Sequence, residues 1–338
     1  MSMPQDTAPE ARQRLYERVL RSQEGIVLSL AVLAFVLFAV VLPGFLTVGN
    51  MLDLVRNVSI LGILALGMAL VVIARGIDIS MIAVMVISVS WAFVIARAGY
   101  PLELALLIGA GFAIVAGATI GALIAFGDVP PILATLAAGS VIYGIGRTFF
   151  FTLEMQNVPP NAGWFNVIGQ GVVFGIPVTV IAFGLLCALV HLVLSHTRFG
   201  WLLYALGSNP NAARTAGMAT RPVTMALYAI SAFVAYVAGL ILASSAAAIN
   251  VRLFNSTMIY DILLVVVLGG IGLNGGHGGV RNVILGTLFV GVLLNGMTIL
   301  NIDYTIQNLI EGIVLLLAIV VDSLVNPRDE QTSQQGDL

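Results

Sequence analysis

Three carboxylic acids stand within or beside long apolar runs, and they are the side chains best suited to chemistry in this sequence. Asp78 lies in a Gly-Ile-Asp-Ile-Ser segment, Asp261 stands at the start of a later run, and Glu311 lies in the last run. An ionisable group is costly near lipid and usually faces a cavity, a partner group or water. Each acid therefore marks either a gate, pathway or proton site, or a helix start where the carboxylate faces the positive end of the helix dipole.

The residue types of common catalytic sites are absent or badly spaced. All 14 basic residues are arginine, so the chain has neither a Walker A lysine nor a lysine for Schiff-base chemistry. The three histidines lack metal-ligand spacing and cysteine support. Cys187 is the only cysteine, and its apolar surroundings indicate helix packing. We therefore expect no catalytic residues, no metal and no cofactor, and we expect any ATP hydrolysis to occur in a separate chain.

The composition requires that lipid surround these residues. Of 338 residues, 59% are hydrophobic and 9% are charged, whereas an ordinary soluble domain is about 25% charged. Backbone groups cannot remain unpaired in lipid, so a spanning segment must be a helix or part of a closed barrel. The long unbroken apolar runs favour helices, and the fold class predicted is an all-α, polytopic integral membrane protein.

About ten transmembrane helices account for the apolar runs. They are predicted at 25–46, 55–74, 80–97, 103–126, 131–151, 173–195, 222–245, 258–273, 280–300 and 305–325. This divides the chain into a cytoplasmic N-terminal segment (1–24), a transmembrane permease domain (25–325) and a cytoplasmic tail (326–338). Two connections are long, an external one at 152–172 and a cytoplasmic one at 196–221, and long connections in compact folds are often functional.

The arginines test this layout, because cytoplasmic loops are enriched in basic residues. With the N-terminus inside and ten spans, the cytoplasmic segments hold ten arginines and the external segments hold three, with Arg147 near the outer end of its span. An odd number of spans or an inverted chain would remove this bias. Both termini are therefore predicted to be cytoplasmic.

The cytoplasmic connection at 196–221 contains a predicted short helix. Ser208 or Asn209 suits the N-cap, Pro210 suits the first helical position, and Gly217 suits the end. One interpretation is an ordinary surface loop. The other is a coupling helix held by a cytoplasmic ATPase, since its alanines offer a smooth docking surface. The candidate coupling residues are Gly200, Gly207, Asn209, Ala212, Ala213 and Gly217.

Two further segments are gate or pathway candidates. In Gly76–Ser80, the hydroxyl of Ser80 is predicted to cap the helix that follows, with Asp78 at its positive end. The other segment is rich in glycine, which makes a mobile backbone that helices can approach closely. The candidate residues are Gly76, Asp78, Ser80, Asp261, Gly269 and Gly270.

Four stretches in order resemble the permease subunits of ribose-type bacterial ABC importers, the family that serves ribose, xylose, arabinose, galactose and autoinducer-2. Gly76-Ile-Asp-Ile-Ser resembles the family's G-I-D-L-S, and Val129-Pro-Pro-Ile-Leu-Ala-Thr-Leu resembles P-P-F-I-A-T-L. Thr197-Arg-Phe-Gly through Met218 resembles T-R-F-G … A-A-x-x-S-G-I, and the run from Asp261 to Gly270 resembles D-A-I-A-A-V-V-I-G-G. The resemblance covers about residues 40–325.

The resemblance implies a subunit of an ATP-driven sugar importer in the bacterial inner membrane. It would translocate a monosaccharide or similar small polar solute delivered by a periplasmic solute-binding protein. Its other partners would be a cytoplasmic ATP-binding-cassette ATPase, which uses the ATP, and a second permease subunit, identical or different. The segment at 200–217 would then be the contact with the ATPase.

The sequence also departs from the family pattern. The usual glutamate two residues before Asp261 is Ile259 here, and Glu311 is unusual in the last span. A chain without Glu or Gln near Asp261 is expected to handle a less hydroxylated solute.

Two other function classes remain as alternatives. One is a proton-coupled secondary transporter using Asp78, Asp261 or Glu311, and the other is a membrane enzyme, which the missing catalytic cluster disfavours.

Overall fold

A computed structural model describes residues 23–160 and 162–325 of this chain. The predicted N-terminal segment and the tail at 326–338 therefore lie outside the described residues, except for residues 23 and 24. Within the described part the protein is built from thirteen α-helices and four very short strands. The helices are α1 (Gln23–Val41), α2 (Val48–Ile73), α3 (Met81–Arg97), α4 (Leu102–Gly127), α5 (Pro131–Ile145), α6 (Gly163–Gln170), α7 (Val178–His196), α8 (Arg198–Ser208), α9 (Pro210–Thr215), α10 (Thr220–Ala246), α11 (Met258–Leu268), α12 (Val280–Ile299) and α13 (Tyr304–Val325).

The all-α prediction is confirmed, and each of the ten predicted spans has a helix. By length and apolarity, seven described helices can cross a membrane, and α3, α11 and the described part of α13 are shorter apolar helices. Four predicted boundaries were wrong by several residues. Helix α1 ends earlier, at Val41 rather than 46. Helix α2 begins earlier, at Val48, where the Thr47 hydroxyl accepts a hydrogen bond from the Asn50 amide. Helix α7 begins later, at Val178, and α11 ends at Leu268 rather than 273.

The central helices are α2, α3 and α10, and most of the buried core belongs to them. Helix α4 lies against α10 through Gly117 and Gly121. A Cβ on Gly121 would come within 2.7 Å of the Met225 Cα, and one on Gly117 would overlap the Tyr228 carbonyl. The Gly-x-x-x-Gly pair is therefore a packing surface, since small residues let backbones approach closely. Helices α1, α4, α5, α7 and α13 expose many large apolar side chains, as helices at the lipid boundary do.

The segments predicted to be external contact one another. Strands β1 (Met155–Asn157) and β4 (Ala248–Asn250) pair in antiparallel fashion, while β2 (Val172–Val173) and β3 (Ile176–Pro177) form a hairpin before α7. Arg252 forms a salt bridge with Glu154 at 2.6 Å. The predicted loop at 152–172 thus contains the folded helix α6 and two strand segments.

The segments predicted to be cytoplasmic likewise gather at the opposite end. The connection at 196–221, predicted as a polar loop with one short helix, is mostly helical because α8 precedes α9. Thr197 starts α8, since its hydroxyl accepts a hydrogen bond from the Gly200 amide at 3.2 Å. The separate clustering of the two sets of loops agrees with the layout that the arginines predicted.

Candidate functional site

Asp78 lies in an irregular break between α2 and α3, and it is 1% exposed. Its carboxylate accepts hydrogen bonds from the Ser80 hydroxyl at 2.5 Å, the Ser80 amide at 3.1 Å and the Ser231 hydroxyl of α10 at 2.8 Å. The prediction that the Ser80 hydroxyl caps α3 was wrong. That hydroxyl donates to Asp78, and the carboxylate itself accepts from the backbone at the positive end of α3.

The break is held on both sides by other helices. The Thr135 hydroxyl of α5 lies 3.2 Å from the Ile77 carbonyl. Gly76 lies against Tyr228 of α10, where an added Cβ would come within 2.5 Å of the tyrosine hydroxyl. Gly76, Asp78 and Ser80 therefore form one tightly packed connection. A movement of α5 or α10 must displace the start of α3 as well.

The predicted coupling helix is present as α9. Asn209, and not Ser208, is its N-cap, because the Asn209 side chain accepts a hydrogen bond from the Ala212 amide at 2.9 Å. Gly217 ends the segment with φ +75°, a left-handed conformation that suits glycine. Ala212 is exposed whereas Ala213 is 3% exposed. The surface available to a partner is therefore narrower than the alanine pattern predicted.

Helix α8 lies directly against the cytoplasmic end of α2 and the glycine-rich segment at 269–279. A Cβ on Gly207 would overlap both the Ile73 carbonyl and the Gly276 backbone. The Gly276 amide donates to the Ile73 carbonyl at 2.8 Å. We call this meeting of α8, the end of α2 and the glycine-rich segment the cytoplasmic junction. It needs glycine because three backbones approach within hydrogen-bonding distance.

Two side chains that the sequence did not single out complete the cytoplasmic junction. Arg75, in a left-handed conformation with φ +63°, donates to the Ser208 carbonyl at 2.8 Å. The Tyr204 hydroxyl donates to the Gly278 carbonyl at 2.7 Å, and burial raises the pKa of this tyrosine. The only sequence signal for Arg75 was its place directly after an apolar run, and no sequence signal pointed to Tyr204.

A cavity of about 290 Å³ opens beside the cytoplasmic junction. Gly76 and Tyr228 line it on one side, and Asp128, Pro210 and Arg214 line it on the other. Arg214 of α9 lies 3.6 Å from the Asp128 carboxylate, and both side chains are more than half exposed. The cavity is therefore bordered by both the Asp78 break and the coupling helix, and the exposed ion pair of Arg214 and Asp128 forms part of its lining.

Three predicted residues lie away from the cytoplasmic junction contacts. Gly269 and Gly270 follow α11 and lie against α12, where the Asn282 side chain donates to the Gly269 carbonyl at 2.8 Å. Asp261 lies in the first turn of α11, near the external end. Among the described residues, no three His, Cys, Asp or Glu side chains converge in a way that could hold a metal ion.

Asp261 has an acidic neighbour that the sequence did not place there. Glu311 of α13 is 6% exposed and forms a side-chain hydrogen bond with Asp261. The expectation that the chain has no Glu or Gln near Asp261 was therefore wrong, and the argument for a less hydroxylated solute fails with it. Position 259 on α11 is isoleucine, and the glutamate beside Asp261 is Glu311 on a different helix, α13.

Comparison with known proteins gives a consistent result. Residues 50–319 match the family described as branched-chain amino acid transport system / permease component. The chain is 31% identical to the ribose import permease protein of Bacillus subtilis (strain 168), over 92% of this chain and 96% of that one. It is 29% identical to the fructose import permease protein of Rhizobium meliloti, over 93% and 89%. It is 28% identical to the galactofuranose transporter permease protein of Escherichia coli (strain K12), over 95% and 94%. No solved structure matches.

Proposed function

This chain belongs to the family of permease components that matches residues 50–319, and we propose that the solute it carries is a monosaccharide. The resemblance to ribose-type permeases is confirmed, and the chain is a multi-pass permease subunit of the inner membrane. Support for the proposed solute comes from relatives whose names specify ribose, fructose and galactofuranose.

The proposed driving force is ATP hydrolysis in a separate cytoplasmic ATPase that contacts α8 and α9. The observation that carries this proposal is the cytoplasmic junction. There α8 is joined to the end of α2 through the Arg75 bond to Ser208 and the close packing of Gly207 on Ile73. A partner that moves α8 must therefore move the end of α2, and with it the Asp78 break.

In this mechanism the solute reaches the external side on a periplasmic binding protein, and a second permease subunit, identical or different, completes the pathway. When the ATPases close on ATP, they change the distance between Asp128 and the two helices α8 and α9. The width of the cavity beside the cytoplasmic junction changes with that distance. The Asp78 break transmits this displacement to α3, α5 and α10, because Asp78, Thr135 and Ser231 bond across it. Alternating access then follows from one displacement at the cytoplasmic end.

A proton-coupled carrier is the second candidate, and one observation favours it. Asp261 and the buried Glu311 bring two carboxyl groups together between α11 and α13, and ionisable groups within membrane helices often form the proton relays of carriers. The family match favours the first candidate, because its relatives are permease components of import systems.

The test is uptake into liposomes that contain this permease with its ATPase and liganded binding protein. We expect the liposomes to take up D-ribose, D-fructose or D-galactose. This uptake should require ATP on the side of the membrane where the ATPase lies. A protonophore should leave this uptake unchanged. Uptake that continues without ATP and stops with the protonophore would support the proton-coupled candidate. Failure of the purified permease to bind any ATPase would contradict the first candidate.

A further inference from the structure

A second cavity, on the external half of the protein, has a polar floor and an apolar wall. It measures about 290 Å³ and lies between α2, α10, α11 and α12. Leu54, Leu61 and Leu242 supply apolar wall, and Asp261 and Asn295 are among its polar groups. Its volume is at the lower end of the range of about 300–1,000 Å³ for small-molecule sites. We call it the external cavity.

The polar groups of the external cavity match a hydroxylated ligand. The Oδ1 atom of Asp261 is buried, and it accepts no hydrogen bond from the described residues. The Asn295 amide exchanges two hydrogen bonds with Asn50, at 2.9 and 3.0 Å, which leaves one N–H and further acceptor capacity. Asn57 and Thr298 are exposed at the rim, and the Thr298 hydroxyl donates to the Leu294 carbonyl while its lone pairs stay available.

The polar groups that line the cavity also favour a neutral polyol over an anion. In the part of the chain that the structure describes, the lining holds no arginine or histidine that could bind an anion, and Asp261 is the one acid in it. No ion pair between described residues involves Asp261. Amides and hydroxyls supply the other polar contacts. Such a set accepts and donates hydrogen bonds to sugar hydroxyls, and the apolar wall suits the C–H faces of a sugar ring.

We propose that the external cavity is a solute subsite within a single permease subunit, where Asp261 accepts a hydrogen bond from a sugar hydroxyl and Asn57 and Asn295 bind others. Glu311 does not line the cavity, but it is buried beside Asp261 and contacts it through the side chain, so we assign it the role of a positioning residue for the Asp261 carboxyl. This proposal rests on the proposed function, because it assumes that a monosaccharide crosses the protein.

Thiol labelling tests the subsite directly, because Cys187 is the only cysteine. In a Cys187→Ala background that still imports sugar, Thr298→Cys places a thiol at the rim of the external cavity. A charged, membrane-impermeant methanethiosulfonate added outside should label it. D-ribose, D-fructose or D-galactose, whichever the vesicles import, should slow this labelling several-fold. Phe174→Cys is the matched control, since Phe174 is 100% exposed in the hairpin between β2 and β3 and does not line the cavity. The same reagent should label it, and the sugar should not change its labelling.

Uptake by the assembled transporter, at saturating liganded binding protein, tests the two acids. Asp261→Asn should lower the uptake rate at least tenfold. Glu311→Leu should lower it by a similar factor, whereas Glu311→Gln should restore most of the rate because its amide can donate to Asp261. A rate equally low for Gln and Leu would contradict the positioning role.

The outcomes separate this proposal from the proposed function. If the Cys187→Ala parent imports sugar but Thr298→Cys is unlabelled, or is labelled without sugar protection, the subsite proposal is overturned and the transport function stands. Protection by Na⁺ in place of sugar would also overturn it. If the parent imports no sugar in the presence of its partners, the proposed function itself fails.

Discussion

At the cytoplasmic end, three segments meet backbone to backbone, whereas at the external end polar side chains surround an open cavity. In the cytoplasmic junction, the Ile73 carbonyl and the Gly276 backbone leave no room for a Cβ on Gly207. The external cavity instead has a free carboxylate oxygen on Asp261 and amides of Asn57 and Asn295 around it. The difference indicates that one end is built to transmit displacement and the other to receive a solute, and the four predictions below test that division.

The largest effect is expected from Gly207→Val. The Cβ would overlap the Ile73 carbonyl and the Gly276 backbone, so α8 must move away from α2. Overpacking of this kind costs about 1–3 kcal/mol, occasionally more, and here it also breaks the contact that transmits displacement. We expect uptake to fall more than tenfold while ATPase activity of the complex loses its dependence on the binding protein. Both rates are measured in liposomes.

The matched control is Gly184→Val in α7, because nothing lies within 4 Å of a Cβ there. It should leave both rates close to those of the parent. Equal loss in the two variants would show that valine is harmful even at a glycine with open space around it, and the comparison between the two ends would lose this support.

The next effect is expected from Asp78→Asn, which keeps the shape of the side chain but replaces one acceptor oxygen with an NH2 donor. The two carboxyl oxygens of Asp78 accept from Ser80 and Ser231 at full burial, so one of these bonds is lost, and leaving a buried polar group unpaired costs about 1–3 kcal/mol. The Tm in detergent should therefore fall by several degrees, and uptake should fall with it. Asp53→Asn is the control, since that carboxylate is 68% exposed, and an unchanged Tm for both would contradict the role of Asp78.

A smaller effect is expected at the external end from Asn50→Ala. It removes the two hydrogen bonds that Asn50 and Asn295 exchange, one donated by each amide. Such bonds between membrane helices contribute about 0.6 kcal/mol on average and up to about 1.7. Uptake should slow severalfold with little change in Tm. Asn50→Asp tests the pairing itself, because the new carboxylate can still accept from the Asn295 amide but cannot donate to the Asn295 carbonyl oxygen. An uptake rate below that of Asn50→Ala would show that the hydrogen bond donated by Asn50 matters more than the one it accepts.

The smallest effect is expected from Asp128→Asn. The ion pair with Arg214 is long, at 3.6 Å, and exposed, and pairs of this kind contribute about 0–1 kcal/mol. Uptake and Tm should stay near those of the parent, and any difference should vanish at high salt. A large loss of uptake that salt does not affect would show that Asp128 takes part in gating.

The sequence predicted the membrane helices because apolar length alone decides where a chain can cross lipid. It also predicted the Asn209 cap and the Gly217 end, which depend on residues close in sequence. It did not predict the bond between Asp261 and Glu311, or the contact of Arg75 with Ser208, since both join distant segments. The Ser80 prediction failed for a local reason, because the Ser80 hydroxyl donates to the carboxylate of Asp78, two residues earlier, instead of capping the helix.

The bond from the Gly276 amide to the Ile73 carbonyl has a consequence for how the protein is made. Ile73 is synthesised and inserted long before the ribosome reaches Gly276, and a carbonyl without a partner is costly at the membrane. The end of α2 must therefore rely on headgroup water until the last third of the chain arrives. Truncated chains that stop before Gly276 should leave this helix end open to cytoplasmic protease, and full-length chains should protect it.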